Sequence, residues 1–359
     1  MADKVRYYLE QSVPELEDLQ NKGLFDKNEI TKIMRRRTDF EHRISGRGSK
    51  PSDFLRYCQY ENNVEKLRKK RYNRLNSVGL IDLKPSISDW AGIRRIMFIL
   101  DRATKKFPND LELWNQYLKY AKENGAIKII YKVYSSLLQL QPRNINAWLS
   151  ACKYEFEING NAKGTRILFQ RALRINPDNL ELWLNYCQFE LTYVSKILAR
   201  RKILSKEINE EDAAELTLPS EEHELDLPEV DIDMLGNPET NPALKGDVAL
   251  AIFDAAPKTI DVIYKFIELF DKFPDLNDYL NSHVLRYLQR EYPDDINTKF
   301  IDITLPLKDG EFQLSVNKFI AYQSKNSDKE LKNMFIKKLK DYQNEDNQVL
   351  LNAIIKKLI

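Results

Sequence analysis

Three tryptophans in the middle of this chain keep step with three prolines. Trp114, Trp148 and Trp183 lie 34 and 35 residues apart, and Pro108, Pro142 and Pro177 repeat the same two intervals. Each proline stands six residues ahead of its tryptophan, in the segments FPNDLELW, QPRNINAW and NPDNLELW. Two features with one shared period mark an internal repeat. A period of this size belongs to a supersecondary unit that buries its apolar face against the next copy, so the chain is constrained to a stacked array.

Each unit reads as a helix pair. In WLNYCQFELTYV the residues Trp183, Tyr186, Cys187 and Glu190 fall at i, i+3, i+4 and i+7, one helical face; we term this helix A. Helix B follows helix A within a unit, as in TRILFQRALRI from Thr165, with Phe169 and Ala172 as core positions, and stops before the next proline. The Asn and Asp residues after each proline suit a turn and an N-cap. Weaker copies flank these. FLRYCQYE matches helix A with Phe54 in the Trp slot and Tyr57 and Glu61 in register, and Trp114 is followed in register by Tyr117. WAGIRRIMFILDRATKKFP from Trp90 and VALAIFDAA from Val248 match helix B. Only 11 glycines and 11% aromatics fit a helical chain with packed seams. The expected fold is an all-α solenoid, more than half helix, with a less regular N-terminal helical segment. Its expected divisions are an N-terminal region with a divergent first repeat (1–85), the main array (86–205), an acidic and partly disordered linker (206–245), and C-terminal repeats with a cap (246–359).

Charge is distributed unevenly although the net value is only +2. Residues 1–80 hold 18 Lys and Arg against 12 Asp and Glu, whereas Lys206 to Thr240 holds 13 acidic residues and one Lys. Such asymmetry suits an assembly component. Within the linker Leu227, Val230, Ile232 and Leu235 offer anchors for partial order. After about Asn297 the pattern weakens to a turn at Asp309-Gly310 and an amphipathic ending, NQVLLNAIIKKLI. The opening MADKVRYYLEQ has no apolar core of a secretion signal, and no window approaches 18 apolar residues. A reducing compartment and no membrane contact are expected.

The helix A pattern Trp-x-x-Tyr-x-x-x-Glu, with Arg166, Phe169, Arg171 and Ala172 in helix B, resembles the HAT (half-a-tetratricopeptide) repeat. Departures are Ala121 in the acidic slot after Trp114 and Ala151 in the Tyr slot after Trp148. The stretches VRYYLEQSVPELEDL, KGLFDKNEI and MRRRTDFEHRI, with DIDMLGNPETNPALKGDVALAIFD from Asp231, resemble the HAT-repeat subunits of the UTP-B module of the small-subunit processome. That resemblance covers most of residues 1–293. It implies a nucleolar ribonucleoprotein subunit among WD-repeat propeller proteins, touching the U3 snoRNP and pre-rRNA mainly through the assembly.

Catalytic chemistry is hard to place. His42, His223 and His283 lack partners at metal-ligand spacing. Cys58, Cys152 and Cys187 each stand four residues after the helix A aromatic, where the copy after Trp114 has Leu118, so they read as buried apolar positions. Gly46 to Lys50 lacks the spacing of a phosphate loop. No cofactor, metal, small-molecule substrate or enzyme activity is expected. Two basic runs remain, Arg35-Arg36-Arg37 and Lys69-Lys70-Arg71. They suit contacts to RNA phosphates, a protein partner or the import machinery; alternatively they are solvated helix faces paired with Asp39, Glu41 or Glu65. The repeat tryptophans read as core before base-stacking platform. The function implied by the resemblance is a scaffold for small-subunit pre-rRNA processing and 90S pre-ribosome assembly. The alternatives are a HAT scaffold of mRNA splicing or 3′-end processing, and a direct RNA-binding protein.

Overall fold

Every element in the computed structural model is helical over the residues it describes, 2–79, 85–207, 241–308, 311–325 and 329–341. Most of the acidic stretch, the turn at Asp309-Gly310 and the ending NQVLLNAIIKKLI lie outside those residues. The chain divides into two compact units, Met1–Tyr154 and Glu155–Ile359. The division falls inside the stretch 86–205 and crosses one helix, Ile145–Glu157.

In the first unit the helices are α1 (Ala2–Glu10), α2 (Val13–Asn21), α3 (Lys27–Ser45), α4 (Pro51–Ser77), α5 (Ile87–Lys106), α6 (Leu111–Glu123), α7 (Ile127–Leu140) and most of α8 (Ile145–Glu157). From α3 to α7 each helix packs on the next, and α1 and α2 fold back onto α3 and α5. The starts are set by side chains that reach back for orphan N–H groups. Glu29, Asp53 and Asp89 each accept from the backbone N–H three residues earlier, at 3.1, 3.0 and 2.9 Å. Pro14 and Pro51 sit in first turns, where a missing N–H costs nothing. Gly23, at φ +67°, allows the left-handed exit from α2. One seam of the unit joins Ile44, Phe54, Tyr57, Ile99, Ala103 and Leu113 from four successive helices.

In the second unit the helices are α9 (Ala162–Ile175), α10 (Leu180–Glu207), α11 (Pro242–Lys245), α12 (Asp247–Ala255), α13 (Ile260–Phe270), α14 (Asn277–Glu291), α15 (Ile296–Lys308), α16 (Phe312–Lys325) and α17 (Lys329–Asp341). α10 packs on α9, α12 and α13, and α15 on α14, α16 and α17. The last three helices close a core of Ile303, Leu307, Phe319, Leu331, Phe335 and Leu339.

The proline period has a backbone cause. Phe107, Gln141 and Asn176 each precede a proline, and each adopts φ near −127° with ψ +69°, +64° and +65°. A following proline bars the α region, so the helix ends there, although each residue still donates its own N–H to the carbonyl four back. Tyr292, before Pro293, repeats the conformation at φ −133° and ψ +57°. The chain therefore holds a fourth copy of this turn, with buried Lys299 six residues after its proline in place of Trp.

Candidate interaction surface

The tryptophans explain the six-residue offset. Trp114, Trp148 and Trp183 each donate the indole N–H to the carbonyl of the proline six residues earlier, at 2.9, 2.9 and 2.8 Å. Proline thus stops one helix, and its carbonyl orients the next. Trp114 and Trp148 are 3% and 2% exposed, but Trp183 is only half-buried. The other expected core positions Phe54, Tyr57, Tyr117, Phe169, Ala172 and Tyr186 are all buried.

A second device joins helix B to the following helix A. Arg166 grips Glu190 with two hydrogen bonds, 2.7 and 2.8 Å, while Phe169 stacks on Tyr186 with ring centroids 5.2 Å apart. Arg37 grips Glu61 in the same way, at 2.8 and 2.9 Å, and Phe40 stacks on Tyr57 at 5.0 Å. The spacings agree: both ion pairs span 24 residues and both ring pairs span 17. The N-terminal helices α3 and α4 are therefore a repeat step of the same design as α9 and α10.

This corrects the reading of Arg37 as a surface contact. Its side chain is 1% exposed and also reaches Glu15 at 3.3 Å. Burial alone would lower its pKa; Glu61 and Glu15 outweigh that and hold it above the usual arginine value. Arg71 is part-exposed and already engaged. It pairs bidentately with Glu29 at 2.7 and 2.8 Å, donates to the Leu24 carbonyl and stacks on Phe25, tying α4 to the start of α3. Arg35, Arg36, Lys69 and Lys70 are exposed, with Lys69 3.8 Å from Glu65. The signal for Arg37 was present: Arg37-x-x-Phe40 with Glu61 in register repeats Arg166-x-x-Phe169 with Glu190.

Around Arg37 a wider network forms. Arg95 bonds Glu15 and lies 3.7 Å from Glu61, and Arg102 grips Glu41 at 2.9 and 2.8 Å. Arg68 clasps Glu65 and Asp89, joining α4 to the first turn of α5. Paired in this way, buried charges fix which helix faces which; orphaning one costs several kcal/mol, about 3–5. The thiols sit in apolar slots, with Cys152 and Cys187 buried and Cys58 half-buried. Among the described residues no cluster of three or more His, Cys, Asp or Glu could hold a metal, and no helix is long and apolar enough to cross a membrane.

Comparison with known proteins adds two family matches. Residues 9–95 match the family described as U3 small nucleolar RNA-associated protein 6, and residues 98–215 match the PRP39 N-terminal HAT repeat. The chain is 43% identical over 209 residues to U3 small nucleolar RNA-associated protein 6 of Schizosaccharomyces pombe, a match covering 58% of this chain and 42% of the relative. A Dictyostelium discoideum homolog is 27% identical over 320 residues, covering 82% of this chain and 52% of the relative. The Homo sapiens homolog is 31% identical over 173 residues, covering 48% and 28%. The matches thus span about half or less of each relative's length. Over these segments the chain is similar to the family described as U3 small nucleolar RNA-associated protein 6 and to its curated relatives.

Proposed function

We propose that this chain is a non-catalytic scaffold subunit of a nucleolar ribonucleoprotein that processes small-subunit pre-rRNA and assembles the 90S pre-ribosome. The supporting observation is the family match over residues 9–95, a segment that holds the buried Arg37–Glu61 pair. On this reading the stacked helix pairs display surface to protein partners, the WD-repeat propellers of the UTP-B module. Contact with U3 snoRNP and pre-rRNA comes mainly through those partners. The burial of Arg37 and the pairing of part-exposed Arg71 with Glu29 support a minor role for direct RNA contact, because they leave Arg35, Arg36, Lys69 and Lys70 as the exposed members of the two runs.

The test is purification of the tagged full chain from nuclease-treated extract, followed by mass spectrometry. A stable subcomplex with WD-repeat proteins is expected. If nuclease strips every partner and the purified chain binds RNA with a steep salt slope, direct RNA binding replaces the scaffold reading. The match of residues 98–215 to the PRP39 N-terminal HAT repeat favours one other reading, a scaffold of mRNA splicing or 3′-end processing. Recovery of factors from those pathways instead of pre-rRNA processing proteins would select it.

A further inference from the structure

Of the four tryptophans, Trp90 is the one the repeat does not use. The other three spend the indole N–H on a proline carbonyl. Trp90 is 46% exposed, and its N–H has no acceptor among the described residues. An aromatic this large held in water without a structural task signals a contact surface.

Trp90 lies at the edge of a groove of about 400 Å³ in the first unit, within the size range of small binding pockets, about 300–1,000 Å³. One wall is the outer face of α5, where Ile87, Trp90 and Phe98 are 56%, 46% and 40% exposed and Arg94 stands between the two rings in sequence. Tyr8 of α1 also lines the groove, its ring edge-on to Phe98 at 5.4 Å. The Arg102 guanidinium lies over both rings, 4.6 Å from one centroid and 4.7 Å from the other, so the aromatic pair is braced before anything enters the groove.

The charges of the lining are unbalanced. Its two carboxylates, Glu15 and Glu41, are engaged by arginines. Arg95 and Arg102 each retain a buried Nε–H without an acceptor. Arg94 is exposed and makes no ion pair among the described residues. The groove thus offers an apolar wall and one uncommitted cation, its own carboxylates being already paired.

We infer that this groove docks a short peptide segment of another protein that sets a carboxylate on Arg94 beside an apolar side chain packed over Trp90 and Phe98. One free cation suits a single carboxylate. A nucleic-acid track needs a series of cations along its phosphates, and the groove leaves one uncommitted. The braced aromatic wall supplies the desolvated anchor that carries most of the energy in peptide recognition.

The test uses the purified full chain and a phage library of random twelve-residue peptides. Enrichment of Asp or Glu next to Leu, Ile or Phe is expected. A synthetic peptide from that set should bind one-to-one, and Trp90→Ala and Arg94→Glu should each weaken it at least about tenfold. Arg94 is exposed, so its substitution should leave the thermal melt unchanged, while that of Trp90, 46% exposed, should lower it only slightly. Reselection on the Arg94→Glu chain should replace the acidic preference with Lys and Arg. Peptides indifferent to both substitutions, or an absent consensus, would overturn the inference. So would an oligouridine dodecamer that binds in an Arg94-dependent way while no peptide does. The assay needs no assembly partner, so its failure leaves the pre-rRNA reading standing.

Discussion

Arg166 and Glu190 offer a quantitative test of how the repeat is held. Glu190 is 1% exposed while the Arg166 side chain is 36% exposed, and two short hydrogen bonds join them. The two single substitutions should therefore differ. Arg166→Met strands a carboxylate in the interior and should cost about 3 kcal/mol, the low end for a broken buried ion pair, because one partner is already partly wet. Glu190→Ala frees a guanidinium that turns to water and should cost about 1 kcal/mol. The double substitution copies what the chain does elsewhere: Met97 and Ala121 occupy the corresponding positions at the same separation, 6% and 0% exposed. It should cost about 1 kcal/mol, so the coupling between the sites is about 3 kcal/mol, at the upper end for contacting residues. Two compact units need a local reporter, and Trp183 is the one tryptophan in the second. Urea titration of fluorotryptophan-labelled chain by fluorine NMR follows its resonance separately. Equal costs for the two single substitutions, or a double variant no better than Arg166→Met, would refute the reasoning.

The indole-to-proline bond gives a second expectation. Trp114→Phe and Trp148→Phe should each cost about 1 kcal/mol in urea titration, because a buried indole loses one hydrogen bond, although the Pro108 carbonyl still accepts from the Gln141 amide at 2.7 Å; half-buried Trp183→Phe should cost less. Hydrogen bonds from Arg71, then from the Asp26 N–H, hold the Glu29 carboxyl at about 2 instead of the usual 4.5. Its contribution to stability is present above pH 4.5 and lost as pH falls toward 2, so Glu29→Gln should flatten the urea midpoint across that window. Burial, then the nearby Glu61 carboxylate, pushes the Cys58 thiol up to about 12. At pH 8 it should carry roughly a thousandfold less thiolate than a free cysteine of pKa about 8.5, and a thiol-specific disulfide reagent should reach it quickly only after urea is added.

The period was legible because proline and tryptophan are scarce enough to stand out, and both act locally. The helix stop is enforced between adjacent residues, and the indole reaches back only six. Arg37 was not legible as a core residue from its run. Three consecutive arginines read as a basic patch, yet a helix turns about 100° per residue, so three neighbours point in three directions. One of them faces inward, and only Phe40 three residues on, together with Glu61, says which. The groove was illegible for a different reason. Tyr8, Glu41 and Phe98 are remote in sequence and meet only when α1 folds back beside α5.

The ion pairs also explain how this repeat degenerates. A carboxylate in the seam is tolerable only with its donor, so loss of one partner must be followed by loss or replacement of the other. Arg37 with Glu61 and Arg166 with Glu190 keep the charged solution. Met97 with Ala121 has the apolar one, and both residues stay buried. Glu155 is a third case. The residue that precedes it at the spacing of the ion pairs is Tyr131, which brings no cation, but the carboxylate accepts from the side-chain amides of Asn159 at 2.8 Å and Asn161 at 2.6 Å. Those donors come from the short link to α9, which the next turn also needs, since Asn161 caps α9 by accepting from the Gly164 N–H. The acidic slot can therefore persist where its arginine is gone, provided that neutral donors arrive from the adjoining loop. Sequence identity at one slot then says little by itself. The partner on the preceding helix, or the amides of the loop that follows, decides whether that slot is core.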